Sequence, residues 1–269
     1  MIRLFCRVSF LVSSSVFLMA CSSIGTNNKA SVNDSIQQLR FTSPSAEQRV
    51  IIYNHGISRP QQKERCYLSY NKPPASLTAL IDDKTMIYNL CSTSTESPAI
   101  TSAGKQVYLR KIEIDFAIDA FLARGIDPKH IFLAGHSNGA WTSLMMMREV
   151  NKRFNGVIAF APAFAGKRKE VTIAPWWRKS VRPKQIKDML GASRMDALIF
   201  AYDNDAYNRP QDLEFLQYHY PLTNHSGVDL VSYDCGLRNA HQTYRKDCRQ
   251  RLSSKKIAEF IQTQIEYGY

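Results

Sequence analysis

The segment IFLAGHSNG at residues 131–139 is the most informative stretch of the sequence. Its first four residues form a short apolar run typical of a buried strand, and residues 138–153 have the apolar spacing of a helix. Between them lies a G-x-S-x-G pattern centred on Ser137. A chain that reverses so sharply needs glycines beside the serine, because Cβ atoms would clash there. The context predicts a nucleophile elbow with an exposed Ser137 hydroxyl, rather than a structural turn with an idle serine.

Strands and helices alternate on both sides of this segment. Strands are predicted at 50–53, 85–90, 131–134, 157–160, 197–201 and 228–233, and helices at 105–124, 138–153, 210–218 and about 252–265. In the helix at 105–124, the apolar residues at helical spacing are Leu109, Ile112, Phe116, Ala120 and Phe121. The alternation predicts an α/β fold with a mostly parallel central sheet and helices on both faces. Active sites of such sheets lie beyond the carboxyl ends of the strands.

Residues 48–266 resemble the α/β-hydrolase superfamily, in particular serine hydrolases of the dienelactone-hydrolase-like or esterase and lipase type. The resemblance is carried by the G-x-S-x-G pattern in its strand–helix context and by the lead-in GIDPKHI at residues 125–131. It implies the α/β-hydrolase fold and a catalytic order of serine, acid and histidine, with the acid and the histidine each following a later strand.

The resemblance implies Ser137 as nucleophile and assigns the other two members by position. His241 is the one histidine of six that follows the last predicted strand. Two aspartates follow the strand at 197–201, and both stay open as the acid. Aligned on the hydrophobic–Gly–x–x–Asp turn of the family, Tyr202 replaces the glycine and Asp205 takes the acid position, so Asp205 is preferred over Asp203.

The resemblance also assigns an oxyanion hole. A His-Gly pair, His55-Gly56, follows the strand at 50–53, and in these families such a pair opens the loop that supplies one backbone N–H. The implied donors are the backbone N–H groups of Ile57 and Asn138. The expected chemistry is acyl transfer from an ester to Ser137 and hydrolysis of the acyl-enzyme, without cofactor or metal.

The cysteines indicate an exported protein. Six are present; Cys6 would leave with a signal peptide and Cys21 would carry lipid. The remaining four allow three connectivities. The pairs Cys66–Cys91 and Cys235–Cys248 are favoured because each closes a local loop. The second pair would close a 14-residue loop around His241, and we hypothesise that it also fixes the position of the histidine.

The N-terminus resembles that of an exported bacterial lipoprotein. Residues 1–20 read as a signal peptide, and LMAC at 18–21 is similar to a lipoprotein box, which would make Cys21 the lipidated residue. Residues 21–45 are interpreted as a tether, Ser- and Asn-rich over 22–34, and the start of the domain; residues 46–269 form the α/β-hydrolase domain. The expected location is the bacterial cell envelope, lipid-anchored to the outer membrane facing the periplasm, or at the cell surface.

The net charge is +12, and much of it lies in one segment that we call the basic segment, residues 165–195. Eight basic residues cluster around Trp176-Trp177, with Glu170 and Asp188 as the acids among them: Lys167, Arg168, Lys169, Arg178, Lys179, Arg182, Lys184 and Lys187. The segment could be a cap insertion that binds anionic substrates or rests on a membrane, or a solvated loop pinned by the tryptophans. Nucleic acid is not an expected partner, because no binding motif accompanies the charge.

The predicted function is a serine hydrolase that cleaves carboxylic esters in the cell envelope. Its partners would be a small-molecule, lipid or glycan ester and, through the lipid anchor, a membrane. Peptidase and thioesterase activity use the same machinery. The alternative from another class is a non-catalytic envelope protein that binds glycan or lipid. The sequence does not indicate an oligomeric state.

Overall fold

Six parallel strands form the central sheet, in the order β2-β1-β3-β4-β5-β6. The computed structural model describes residues 29, 32–41, 43–57, 71–92, 105–149, 153–164, 168, 177–236, 240–242 and 248–268. The strands are β1 (Arg49–Asn54), β2 (Thr85–Leu90), β3 (Ile131–His136), β4 (Gly156–Phe160), β5 (Ala197–Tyr202) and β6 (Val228–Tyr233). All six overlap the predicted strands, and the predicted parallel sheet is confirmed.

Helices connect these strands and cover the sheet. They are α1 (Ala75–Thr78), α2 (Lys105–Ala123), α3 (Asn138–Met146), α4 (Arg182–Met189), α5 (Glu214–His219) and α6 (Gln250–Tyr267). The helix predicted at 138–153 is shorter, since α3 passes into a 3-10 turn at Met147–Glu149. The helix predicted at 210–218 is divided between a 3-10 turn, Pro210–Asp212, and α5.

Side-chain alternation along the strands produces one apolar core on each face of the sheet. Ile52 and Leu133 pack with Trp141 and other residues from α2, α3 and α4 on one face. Ile51 and Phe132 point to the opposite face, where Leu77 of α1 and the buried side of α6 cover them. Because helices lie on both sides, strands β3, β4 and β5 are buried along their whole length.

The buried face of α2 agrees only in part with the predicted one. Ile112 was expected on the apolar face, but its side chain faces solvent and is 47% exposed. The face that packs on the sheet includes the predicted Ala120 and Phe121, together with Val107, Ile114, Ala117 and Ile118. The helix carries apolar residues on several sides, so spacing alone did not identify which side the sheet covers.

Packed structure is present before residue 46, within the segment interpreted as a tether and the start of the domain. Residues 32–37 are helical. Val32 and Ile36 are buried in the core that lies between the sheet and α2. The segment predicted as a tether therefore overlaps packed structure from residue 32. Residues 1–20 and Cys21 lie outside the described residues. Within the described ranges, no helix is long and apolar enough to cross a membrane.

The basic segment is described at residue 168 and from residue 177 onward. Here a π-helical turn, Trp177–Val181, leads into α4. Met189 is buried in the core, and Gln185 accepts a hydrogen bond from the indole N–H of Trp141 at 2.9 Å. This part of the segment packs onto the body of the domain. Trp176 and the side chain of Trp177 lie outside the described residues.

Candidate active site

Ser137 occupies the single-residue turn between β3 and α3. Its φ of 54° and ψ of −120° lie in a region that residues other than glycine rarely adopt. The backbone is fixed there by three hydrogen bonds: its N–H donates to the Phe160 carbonyl at 3.0 Å, and its carbonyl accepts from Trp141 at 2.9 Å and Ala163 at 3.1 Å. The end of β4 and the loop after it therefore hold the strained turn in place.

Two glycines let this turn approach β1. A Cβ atom on Gly135 would lie 2.7 Å from the Ala140 nitrogen and 2.8 Å from the Asn54 carbonyl oxygen. A Cβ atom on Gly139 would overlap the carbonyl oxygens of Asn54 and His55. The glycines of the G-x-S-x-G pattern are thus required by close backbone packing between α3 and the end of β1.

Ser137, His241 and Asp205 form a hydrogen-bonded chain. The Ser137 Oγ lies 2.8 Å from His241 Nε2, and His241 Nδ1 lies 2.8 Å from Asp205 Oδ2. A carboxylate only accepts, so Nδ1 carries the hydrogen and Nε2 of a neutral imidazole is left to accept the serine hydroxyl. Asp205 is 1% exposed and His241 8% exposed, which keeps bulk water from competing for their hydrogen bond.

The two aspartates after β5 have different surroundings. Asp205 Oδ1 accepts a 2.6 Å hydrogen bond from the Tyr207 backbone N–H, while its second oxygen faces His241. Asp203 is only partly buried, and its carboxylate accepts from the Ser232 hydroxyl at 3.0 Å on the neighbouring strand. Only Asp205 contacts the histidine, because the turn after Tyr202 directs the two side chains to different sides.

The loop that carries His241 is supported from several directions. His241 lies in the 3-10 turn Ala240–Gln242, and its carbonyl accepts from Nε2 of His136 at 2.9 Å. The Tyr207 ring lies against the imidazole, with 4.3 Å between ring centroids. Sequence reasoning gave His136 no role beyond its place in the G-x-S-x-G pattern, whereas the structure shows it bound to the backbone of His241.

A disulfide brackets the same loop. Cys235 and Cys248 are bonded, with Cα atoms 5.9 Å apart, so this pair forms as the sequence favoured. Cys91 is also disulfide-bonded; its predicted partner, Cys66, lies outside the described residues.

The loop after β1, predicted to supply an oxyanion donor, lies beside Ser137. A Cβ atom on Gly56 would be 3.4 Å from the Ser137 Cβ and 3.1 Å from His136 Nδ1, so the loop passes Ser137 closely. Asn138 is the first residue of α3, where backbone N–H groups have no partner within the helix. Among the described residues, neither the Ile57 nor the Asn138 N–H donates to a protein acceptor. Of the two predicted donors, the Asn138 N–H follows Ser137 directly in the chain, and the Ile57 N–H belongs to the residue after Gly56.

A buried polar network behind this loop was not predicted. Arg110 of α2 is fully buried, and its guanidinium donates to the His55 carbonyl at 2.6 Å and to Ser92 Oγ at 3.1 Å. The Ser92 hydroxyl in turn donates to Glu113 at 2.5 Å. A signal was present in the sequence: Arg110 lies three and four residues from Val107 and Ile114, on the apolar face that the sheet covers.

The same network orients the side chain of His55. The Ser92 backbone N–H donates to His55 Nε2 at 3.3 Å, so that nitrogen carries no hydrogen. Nδ1 is then protonated and donates to the Gly56 carbonyl at 2.6 Å. With the carbonyls of His55 and Gly56 both accepting from this side, the backbone before Ile57 has a defined orientation.

The described residues contain no metal-binding cluster, since no three His, Cys, Asp or Glu side chains among them are placed to share an ion. The chemistry available at this site is that of a hydroxyl, an imidazole and a carboxylate in series next to two backbone donors. That set is the one used for acyl transfer.

The sheet and this site together define the α/β-hydrolase fold. Solved structures similar to the chain include the apo form of esterase 2 from Thermogutta terrifontis (TM-score 0.54, 14% identity, covering 84% of this chain and 87% of that one). The same esterase phosphonylated by sarin matches with a TM-score of 0.53 and 14% identity over 81% of this chain and 85% of that one. TT1662 from Thermus thermophilus matches with a TM-score of 0.51 and 16% identity over 81% and 91%.

At these identities the similarity establishes the fold. No protein-family model and no curated protein sequence matches the chain.

Proposed function

We propose that this chain is a serine hydrolase that cleaves carboxylic esters through an acyl-enzyme at Ser137. The observation that carries the proposal is the hydrogen-bonded chain from Ser137 through His241 to buried Asp205, mounted on a strained turn between β3 and α3. Esterases among the structural neighbours support ester hydrolysis as the reaction class, and one of them is recorded as phosphonylated by sarin.

The first chemical step is attack by the serine. His241 Nε2 takes the hydroxyl proton as Ser137 Oγ bonds to the carbonyl carbon of the ester. Asp205 accepts from Nδ1 and stabilises the imidazolium that forms. The carbonyl oxygen becomes an oxyanion, and the backbone N–H groups of Ile57 and Asn138 donate to it; losing one such donor typically costs about 10²–10³-fold in rate.

Collapse and hydrolysis complete the cycle. The imidazolium returns its proton to the departing alcohol, and the carbon–oxygen bond of the ester breaks to leave an acyl group on Ser137. Water then enters, gives a proton to His241 and attacks the acyl carbon through the same oxyanion site. Ser137 leaves with the proton from His241, and the carboxylic acid is released.

Hydrolysis of short p-nitrophenyl esters by the purified protein tests this function. We expect turnover by the wild type and a loss of at least about 10⁴-fold in Ser137→Ala, because the covalent step needs the hydroxyl. Ser193→Ala, at an exposed position between α4 and β5, is the matched control and should retain full activity. Equal rates in wild type and Ser137→Ala would instead favour a non-catalytic glycan- or lipid-binding protein.

We also propose that the protein acts in the bacterial cell envelope, anchored through lipid on Cys21. The support is the signal-like sequence of residues 1–20 and the lipoprotein-like box that ends at Cys21. Cell fractionation tests this: wild type should pellet with membranes, and Cys21→Ser should not be lipidated. Equal membrane retention and no lipid mass on either form would contradict the anchor.

A further inference from the structure

The described part of the basic segment contacts the loop that carries Asp205. Arg178 lies in the π-helical turn before α4, and its side chain is 19% exposed. One terminal nitrogen, Nη1, donates to the Tyr207 carbonyl at 2.9 Å, and the other, Nη2, donates to Asn208 Oδ1 at 3.2 Å. A single guanidinium therefore holds two consecutive residues of the acid loop, in the fork geometry that arginine provides and lysine does not.

Tyr207 connects this contact to the reacting groups. Its backbone N–H donates to Asp205 at 2.6 Å, and its ring lies 4.3 Å from the His241 ring, between centroids. The peptide unit that precedes Tyr207 orients the acid, and the carbonyl of Tyr207 is the group that Arg178 binds. Movement of this residue would shift both the acid and the surface against which the histidine rests.

Asn208 connects the contact to the nucleophile. Its side-chain nitrogen donates to the Pro162 carbonyl at 2.9 Å, and the next residue, Ala163, donates its backbone N–H to the Ser137 carbonyl at 3.1 Å. Arg178 thus lies where a chain of hydrogen bonds joins the acid loop after β5 to the serine turn before α3.

Arg178 lies among two other arginines and one aspartate. The carboxylate of Asp212 lies 3.9 Å from Nη2 of Arg178 and 3.7 Å from Nε of Arg168. The backbone carbonyl of Asp212 accepts a hydrogen bond from Arg182 at 2.7 Å. Burial lowers the pKa of Arg178, with Asp212 opposing the shift and Arg168 adding to it. The neighbouring arginines therefore repel Arg178, while Asp212 attracts it and its two hydrogen bonds tie it to Tyr207 and Asn208.

We propose that Arg178 is a positioning residue that acts through Tyr207 to hold Asp205 in line with His241. The inference rests on the proposed serine-hydrolase function. It gives the basic segment a role other than the two considered from the sequence, a cap for anions or membranes and a solvated loop.

Ester hydrolysis by Arg178 variants of the full chain tests this role. We expect Arg178→Ala to lower kcat by about 10–100-fold with KM changed less than about threefold, since a displaced acid affects the transition state and not substrate binding. Arg178→Lys should recover only part of the loss, because it keeps the charge and lacks the fork. Lys179→Ala removes a cation from the exposed neighbouring position and should match the wild type.

A double-mutant cycle with Asp205→Asn separates positioning from other roles. If Arg178 acts through Asp205, adding Arg178→Ala to Asp205→Asn should change the acylation rate by less than about twofold. A loss of the same factor in both backgrounds would overturn the proposal. So would a raised KM with unchanged kcat, which would make Arg178 a substrate-binding group.

Two other outcomes, an unfolded Arg178→Ala variant and a fully active Asp205→Asn variant, also have a defined meaning. If Arg178→Ala does not fold, as judged by circular dichroism, the cycle is run with Arg178→Lys, and an unchanged kcat in that variant would overturn the proposal. If Asp205→Asn hydrolyses esters as fast as the wild type, the proposed function itself fails, independently of Arg178.

Discussion

Two loops at the carboxyl ends of the strands meet at Ser137, and an arginine binds a backbone carbonyl in each. In the loop after β1, Arg110 donates to the His55 carbonyl; in the loop after β5, Arg178 donates to the Tyr207 carbonyl. The contacts are alike in chemistry and differ in surroundings. Arg110 is fully buried beside Glu113, whereas the Arg178 side chain is 19% exposed.

Because the two arginines differ in burial, we expect their substitution to affect different properties of the protein. A fully buried guanidinium that binds groups in the core leaves those groups without a partner when it is removed, so its loss costs folding free energy. Arg178 is partly exposed, so water can enter the space that its truncation opens. We therefore expect changes at Arg110 to appear mainly in stability, and changes at Arg178 mainly in kcat.

The largest expected effect lies on the acid loop. Asp205→Asn should lower kcat for p-nitrophenyl ester hydrolysis by about 10⁴-fold, because an amide can stabilise the wrong tautomer of His241 and not the imidazolium. Asp203→Asn is the matched control two residues earlier and should stay within about twofold, since its carboxylate contacts Ser232. A larger loss at Asp203 than at Asp205 would reverse the assignment.

The next effect lies on the loop after β1. Arg110→Met should lower the free energy of unfolding by about 3–5 kcal/mol, because it leaves a buried carboxylate without its nearby cation. Urea denaturation measures this. Arg153→Met is the control: it removes ion pairs to Asp115 and Asp119 on the outer side of the same helix and should cost less than about 1 kcal/mol. Equal losses would show that burial does not distinguish the two arginines.

The disulfide beside His241 should contribute next. Replacing Cys235 and Cys248 by serine opens a loop of sequence separation 13, for which chain entropy gives about 3 kcal/mol of lost stability. We also expect a lower kcat at temperatures where the variant stays folded, since the loop carries His241, the proposed general base. An unchanged kcat in folded protein would limit the disulfide to stability.

The smallest effect is expected where α3 packs on the end of β1 and the loop that follows it. Gly139→Ala should lower stability by about 1–3 kcal/mol and reduce kcat, because the new Cβ would overlap the carbonyls of Asn54 and His55. Gly191→Ala meets its nearest neighbour at 3.4 Å and should change neither quantity appreciably. Full activity in Gly139→Ala would show that the loop can move without consequence.

Much of this architecture follows from the sequence because its signals are local. The strands are short apolar runs, and the G-x-S-x-G pattern specifies a turn through the steric needs of adjacent residues. Asp205 and Asp203 stayed open because the turn after Tyr202, which separates their side chains, is not encoded in their own identities. The exposed side of α2 at Ile112 was misjudged for a related reason: several of its sides are apolar, and only the sheet selects one.

The supporting residues depend on contacts between distant parts of the chain. Arg110 could have been noticed, since a charged residue in the apolar row of a helix suggests burial with partners. Arg178 could not, because its two partners lie about 30 residues away in a loop of irregular conformation. Nothing in the basic composition of its segment distinguishes it from Lys179.

Labelling with a fluorophosphonate probe, followed by mass spectrometry of the adduct, tests most directly whether His241 activates Ser137. We predict a single adduct at Ser137 in the wild type and none in His241→Ala under the same conditions, with circular dichroism showing that both are folded. Folded wild type that stays unlabelled, or labelling of Ser137 that is equally fast in His241→Ala, would contradict an activated serine at this site.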